Sequence, residues 1–244
     1  MNYKVITLNM CHGDNNNGII DVINQANVIK GYDSDLILLQ EVDICTSRSN
    51  YKNQLAEFKK NIGFEYSCYG SNIAFKEGWY GNAILSRYPI VSSENYLSTA
   101  TEYSKETKGM LHAEINVNGK YINVFNTHFP VYDKERIFLT ESILNMMKRN
   151  NISGDMILGG DFNFGVIPLG NHRYIIDTHE SYEEFENIKQ IFKCPDFTTK
   201  TWPTDNPIAD IDKIMYNGNI KLNEIKRLDV EISDHYPVYA EFTI

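Results

Sequence analysis

The sequence has no long apolar run, no excess of positive charge and few cysteines, and each shortage removes a class of function. No segment approaches the ~18 consecutive apolar residues of a membrane span, so no transmembrane segment is expected. The 244 residues carry 23 Lys and Arg against 32 Asp and Glu, a formal net charge of −9. Proteins that grip long stretches of nucleic acid draw most of their affinity from phosphate contacts on a basic surface. The acidic balance therefore argues against a tight DNA binder, while leaving room for one phosphate held through a metal ion. Cys11, Cys45, Cys68 and Cys194 form no CxxC pair, which speaks against a zinc site. Reduced, partly buried thiols are expected in a chain with enough apolar residues for a proper core. No repeat, low-complexity tract or Pro/Gly/Ser-rich linker divides the sequence, so residues 1–244 are read as a single domain and a monomer. After Met1 the chain runs at once into a strand-like stretch with no leader. A cytoplasmic location is expected, or a secreted one if a leader has been removed.

What remains is a pattern of strands and helices. Residues 3–9 alternate faces and are rich in β-formers, and residues 35–40 form a short, nearly all-apolar run expected of a strand covered on both sides. Between them, Ile19, Val22/Ile23, Ala26 and Ile29 follow helical spacing, with Gly31 as a stop. Tyr51, Leu55, Phe58 and Ile62 trace a second helix ended by Gly63. Several strands are expected between residues 64 and 117, including residues 83–86. Asn118-Gly119 lies between alternating Leu111, Ala113, Ile115, Val117 and the run 121–125, which predicts a type I′ hairpin because both turn positions need positive φ. Asp133 is placed to cap a helix with Ile137, Thr140/Glu141, Leu144 and Met147 on its apolar face. Residues 155–160 read as another apolar strand. Ser181-Tyr182-Glu183-Glu184 has capping-box spacing ahead of Phe185, Ile188 and Phe192. Val238, Ala240, Phe242 and Ile244 alternate as a final strand. Helices flanking a mixed, hairpin-containing strand core suggest a layered α/β architecture.

The polar residues at the strand ends carry the functional signal. Apolar segments lead to Asn9, to Gln40-Glu41, to Asn126-Thr127-His128 and to Asp161-Phe162-Asn163. Asp212 lies in the apolar stretch 209–215, and Ser233-Asp234-His235 precedes the last strand. If these ends meet on one rim they make an acidic, polar pocket on a rigid scaffold. Such a pocket suits phosphate esters. Their negative oxygens repel a nucleophile unless a hard dication, held by oxygen ligands, neutralises that charge. A base must also take a proton from the attacking water, and a donor must help the leaving oxygen depart. Any one of these residues alone has a plainer reading as a turn, a cap or a satisfied polar group.

Taken in order, the segments resemble the endonuclease/exonuclease/phosphatase superfamily, which includes pancreatic deoxyribonuclease, exonuclease III-type repair nucleases, neutral sphingomyelinases and inositol polyphosphate 5-phosphatases. The matching pieces are Thr7-Leu8-Asn9, Leu39-Gln40-Glu41-Val42, residues 81–90, Asn126-Thr127-His128, Gly159-Gly160-Asp161-Phe162-Asn163, residues 211–214 and residues 233–238. The resemblance implies a four-layer α/β/β/α sandwich, an α+β arrangement of two mixed β-sheets flanked by helices. It also implies a Mg²⁺-dependent phosphoesterase, with Mn²⁺ as a substitute ion. Glu41 would be the main metal ligand, with Asn9 and Asp234 beside the metal and its waters. Asp161 and Asn163 would position the attacking water and the phosphate. Asp212 would orient His235, and His128 would contact the phosphate or assist the leaving group. Either Asp161 or His235 can serve as base in this reading, and a shared network is preferred over one named base. Arg87 is read as a structural or electrostatic support.

Within the superfamily, Asn126-Thr127-His128-Phe129-Pro130 stands where repair nucleases carry a tyrosine-containing motif. The histidine version looks more like the deoxyribonuclease, sphingomyelinase and phosphatase branches. Residues 92–108, where bacterial-type sphingomyelinases carry an apolar membrane hairpin, are Ser-, Thr- and Glu-rich here, which weakens a membrane reading. Lys108-Gly109 stands where many relatives have Arg-Gly, making Lys108 a candidate phosphate-binding residue with His128 and Asn163. The leading expectation is hydrolysis of a phosphodiester or phosphomonoester of a small or lipid-derived compound. A deoxyribonuclease-like endonuclease is the alternative, and a catalytically inactive binding protein of the same fold is a third.

Overall fold

A computed structural model describes residues 1–97, 107–170, 173–177 and 182–244. Along the chain the elements are β1 (Asn2–Asn9), α1 (Val22–Lys30), β2 (Leu36–Ile44), α2 (Gln54–Ile62), β3 (Tyr66–Phe75) and β4 (Gly78–Ser86). Then follow β5 (Ile90–Leu97), β6 (Gly109–Val117), β7 (Lys120–His128), α3 (Asp133–Arg149), β8 (Met156–Asp161) and β9 (Val166–Gly170). The last are β10 (Arg173–Ile176), α4 (Glu183–Lys189), β11 (Asp212–Asn217), β12 (Lys221–Arg227) and β13 (Val238–Thr243). A six-stranded sheet runs in the order β12-β13-β1-β2-β4-β3 and a five-stranded sheet in the order β11-β8-β7-β6-β5. Both are mixed, because β1–β2 and β7–β8 pair in parallel while their other neighbours are antiparallel.

Three apolar layers hold the sandwich together. Strand alternation sends Val5, Leu36 and Leu38 into the space between the sheets, where they meet Ala113, Ile115, Val124, Ile157 and Ile214 of the second sheet. Ile6, Leu8, Ile37 and Leu39 point the other way, onto Val22, Ala26, Ile29 and Phe58 of the first helix pair. Phe125, Leu158 and Met215 receive Leu139, Ile143, Met146 and Ile188 from the second pair. The expected α/β/β/α sandwich is therefore the architecture found, and β2 is covered on both faces as its sequence demands.

Local expectations fare unevenly. Val117 pairs with Lys120 across Asn118 (φ 55°) and Gly119 (φ 92°), the turn that Asn-Gly predicts. Gly63 closes α2 in the left-handed region at φ 85°. Tyr51, however, lies outside that helix, exposed, and Asn53 caps it by accepting from the Ala56 N–H. Ile19 lies ahead of α1 and is exposed, Ile23 within it is exposed too, and only Val22, Ala26 and Ile29 of the expected face reach the core. Asp133 is the first helical residue of α3, and Tyr132 occupies the cap position. The apolar face of α3 is also rotated from the one expected. Leu139, Thr140, Ile143, Met146 and Met147 face inward, while Ile137 and Leu144 sit at the margin. Leu139, Ile143, Met146 and Met147 form the apolar stripe that does face the core, and Arg136 on the same helix is buried and bonded to buried Glu184 at 2.7 Å. Ser181 lies outside the described residues, and α4 begins after Tyr182. The central part of the candidate hairpin, residues 98–106, also lies outside them. Among the described residues no helix is long and apolar enough to cross a membrane. The thiols of the four cysteines are free, and Cys45 is exposed.

The two sheets are also tied by polar bonds beneath the rim. Asn126 on β7 donates to the Leu39 and Ala83 carbonyls at 2.8 Å each and accepts from Gln40 Nε2 at 2.7 Å. Gln40 in turn donates to Thr7. Asn126→Ala would orphan these buried groups at ~1–3 kcal/mol apiece, so a loss of about 3 kcal/mol or more in denaturant unfolding is expected.

Candidate active site

Strand register assembles the site. Asp161 at the end of β8 pairs across the backbone with Asp212 on β11 and with His128 on β7, and His128 pairs with Gly109 on β6. Residues in register share a sheet face, so one row delivers Asp212, Asp161 and His128 side by side. Gly160 makes this close approach possible: with φ at 146°, a Cβ there would stand 1.9 Å from the Thr127 carbonyl. In the facing sheet, the parallel pairing of β1 with β2 ends at Asn9 and Gln40. The register of β2 against β4 then slips between Leu39 and Val42, and Glu41 takes a left-handed φ of 60°. A bulge of this kind re-aims a side chain, here turning the Glu41 carboxylate to the rim.

The side chains converge. Asn9 Nδ2 donates to Glu41 Oε1 at 3.2 Å and to Asp161 Oδ2 at 3.0 Å, while its Oδ1 accepts from the Cys11 N–H at 3.0 Å. Asn9 thus braces two carboxylates, Glu41 from its own sheet and Asp161 from the facing one. Asp161 Oδ2 stands 3.5 Å from His128 Nε2 and 3.8 Å from His235 Nε2. His235 Nδ1 is 2.9 Å from Asp212 Oδ2, which also accepts from Thr201 Oγ1 at 2.6 Å. The Asn163 N–H donates to Asp161 Oδ1, and Asn163 Nδ2 donates to the Phe129 carbonyl. Asp234 accepts from Trp202 Nε1 at 3.2 Å and from Ser233, whose hydroxyl also donates to the Asn9 carbonyl. Glu41, His128, Asp161, Asn163, Trp202, Asp234 and His235, with Lys108, line a cavity of about 390 Å³.

Charge is sorted within this small volume. Burial pushes the Asp161 carboxyl up, with nearby Asp212 adding to it, against the pull of His235 and the bonds from Asn9 and Asn163. His235 is buried too, yet the carboxylates of Asp212, Asp234 and Asp161 overcome that and raise it to about 10. Burial and the neighbouring Lys108 drive His128 well below the ordinary imidazole range. Glu41 is opposed by burial, but His12, His128, Lys108 and the Asn9 amide hold its carboxyl well below the usual range. The site therefore sets a cationic and a neutral imidazole on either side of a carboxylate with raised proton affinity, beside a second carboxylate that stays ionised.

A hard divalent cation suits this donor set, which offers the ionised Glu41 and the half-buried Asp234 at the mouth of a polar cavity. Asp161, Asp212 and His235 also place one ligand atom each within 4.8 Å of one another, but His235 and Asp212 already satisfy each other.

Several cavity residues carry no signal in the sequence. Arg48 reaches the wall, held by Asp43 through two bonds of 2.7 and 2.8 Å and lying over the Phe75 ring at 4.5 Å. Trp202, packed against Tyr174, forms another wall, and Glu135 comes from α3. An Arg seven residues past Glu41, or a Trp in a loop, becomes visible only when loops fold over the rim. Arg87 lies elsewhere, bonded to Asp33 and the Ser34 carbonyl, the supporting place expected of it.

The sequence profile of the Endonuclease/Exonuclease/phosphatase family matches residues 6–235. An uncharacterized protein, YbhP of Escherichia coli (strain K12), is 25% identical over 260 aligned positions covering 98% of this chain and 95% of that one. Among solved structures, a family protein from Leptotrichia buccalis superposes with a TM-score of 0.76 at 18% identity, covering 99% of this chain and 100% of that one. A mannosyl-6-phosphatase of Bacteroides thetaiotaomicron superposes with a TM-score of 0.75 at 16% identity, covering 99% and 100%. At these identities the structural likeness speaks for the fold alone.

Proposed function

The chain belongs to the endonuclease/exonuclease/phosphatase family, and from that premise we propose that it is a Mg²⁺-dependent hydrolase of small phosphate esters. The observation that carries this reading is the buried carboxylate of Asp161, set between His128 and His235 within 3.8 Å and braced by the same amide that braces Glu41.

Glu41 and Asp234 would hold the ion, with Asn9 fixing the Glu41 carboxylate. When bound, magnesium supplies positive charge against the phosphate oxygens and orients the ester. The remaining work falls to the chain's own side chains. Asp161, with its raised proton affinity, accepts the proton of the attacking water at Oδ2, beside the imidazolium of His235. Asp212 fixes the ring of His235 through Nδ1, so that Nε2 faces Asp161, and stabilises the imidazolium. That cation favours the charge that builds on phosphate as attack proceeds. Lys108, His128 and Asn163 line the cavity and bind the phosphoryl oxygens, with neutral His128 placed to assist the leaving oxygen. The whole pocket is completed within one chain, which suits a monomer.

Asp212→Asn keeps the shape of the side chain but removes the charge that orients and stabilises His235. Its kcat is expected to fall by roughly 10²–10⁴-fold with KM little changed. An equal loss spread into KM would assign Asp212 to substrate binding instead.

Substrate size follows from the cavity and the charge. About 390 Å³, walled by Trp202, Tyr174 and Arg48, suits a single phosphorylated small molecule. The net charge of −9 disfavours long nucleic acid. A screen with Mg²⁺ should cover nitrophenyl phosphate mono- and diesters, sugar and inositol phosphates, sphingomyelin and duplex DNA. It is expected to show turnover of small esters well above DNA cleavage. Cleavage of DNA alone would transfer the assignment to a nuclease, and no turnover of any ester would remove it.

A further inference from the structure

Between β1 and α1 the chain makes a turn that phosphate-ester chemistry does not require. Cys11 and His12 both adopt left-handed backbone at φ 45°, a conformation costing non-glycine residues ~1–3 kcal/mol each. The surroundings enforce it. The Cys11 N–H is held by Asn9 Oδ1, Gln25 Nε2 donates to the Met10 carbonyl, and Gln54 Nε2 donates to the His12 carbonyl at 2.5 Å. The outcome is a convergence of donors. One ligand atom each from Cys11, His12 and Glu41 lie within 4.8 Å of one another. His12 Nδ1 stands 3.9 Å from Glu41 Oε2, too far for a hydrogen bond, and is buried with no hydrogen-bond partner among the described residues.

Sulfur, imidazole nitrogen and carboxylate oxygen together are a poor set for magnesium and a good one for a borderline-soft ion. Tetrahedral zinc, with bonds of about 2.0–2.3 Å, places its donors roughly 3.3–3.6 Å apart. The His12 and Glu41 atoms need to close by only about half an ångström to meet that. The spacing rule that argued against zinc considered cysteine pairs. Here a single cysteine is joined by its chain neighbour and by a residue from the next strand.

We infer that Cys11, His12 and Glu41 form a zinc-type site that shares Glu41 with the magnesium position, so that the two ions exclude one another. The thiol proton leaves to solvent as the metal–sulfur bond forms, and a water or the adjacent Asp234 completes the fourth position. Zinc then holds the protein in a state unable to take magnesium. That consequence for activity rests on the phosphoesterase reading; the site itself does not.

The test needs no substrate. Cobalt(II), added to the full-length chain as a spectroscopic stand-in for zinc, is expected to give a near-ultraviolet cobalt–thiolate charge-transfer band at one equivalent. Zinc should bleach the band stoichiometrically, and excess Mg²⁺ should bleach it in competition. The band should vanish in Cys11→Ser, which retains the other three cysteines, and cobalt affinity should fall at least ~10-fold in His12→Ala and in Glu41→Gln. Thermal melts of the metal-free variants report whether each remains folded, and the Mg²⁺ competition in the unaltered protein stands whatever those melts show. No band in the unaltered protein, or a band that survives Cys11→Ser, would overturn the inference. A band indifferent to Mg²⁺ and to Glu41→Gln would overturn the sharing of Glu41. Because no turnover is measured, a missing phosphatase activity and a missing zinc site remain separate results.

Discussion

Mg²⁺-supported turnover by Asp161→Ala is expected to fall by ~10³-fold or more, since a positioned general base contributes ~10²–10⁴-fold and the same carboxylate anchors Asn163 and Asn9. His235→Ala is expected to match it. The two residues face each other at 3.8 Å and serve the same attack step, one taking the water proton and the other offsetting the phosphate charge, so the double variant should be scarcely worse than either single one. Steady-state rates on a small nitrophenyl ester give all three numbers. Independent, multiplicative losses would mean that Asp161 and His235 act at separate steps. The loss should be of function and not of fold: Asp161 is a buried carboxylate surrounded by groups arranged for chemistry, and its removal should leave the melting temperature unchanged or raised.

The second large effect concerns Glu41. Glu41→Gln preserves shape and the possibility of a bond to Asn9 while removing the charge that the site holds ionised against burial. Half-maximal activation should move to Mg²⁺ concentrations higher by ~10²-fold, as a hard cation loses its principal anionic ligand. In the unaltered protein, chelation should abolish turnover and Mg²⁺ or Mn²⁺ should restore it. A Glu41→Gln protein with an unshifted Mg²⁺ titration would place the ion elsewhere in the pocket.

The strands that carry these residues were legible because their signals are local. Alternation in residues 3–9, the apolar run at 36–39 and the Asn118-Gly119 turn each specify backbone over a few residues, and the structure follows them. The polar groups at the strand ends were legible for the same reason, since an Asn, Glu, His or Asp closing an apolar run stands out. Their order along the chain then matched a known family pattern. Other features depend on tertiary geometry. The bulge that turns Glu41 exists because β2 is parallel to β1 on one side and slips against β4 on the other. The buried ion pair of Arg136 with Glu184 joins residues 48 positions apart and leaves no local pattern. Left-handed backbone at Cys11 and His12 has no glycine to announce it, because glutamines from α1 and α2 impose it. The Arg48 wall likewise depends on Asp43 bonding the guanidinium from inside the fold.

One crystal structure, grown with Mg²⁺ and inorganic phosphate, tests the central claim. The ion is expected on the Glu41 carboxylate, with phosphate in the same cavity within hydrogen-bonding reach of His128, Asn163 and His235. Magnesium bound away from Glu41, or phosphate settled outside the pocket that Asp161 and His235 enclose, would contradict the account.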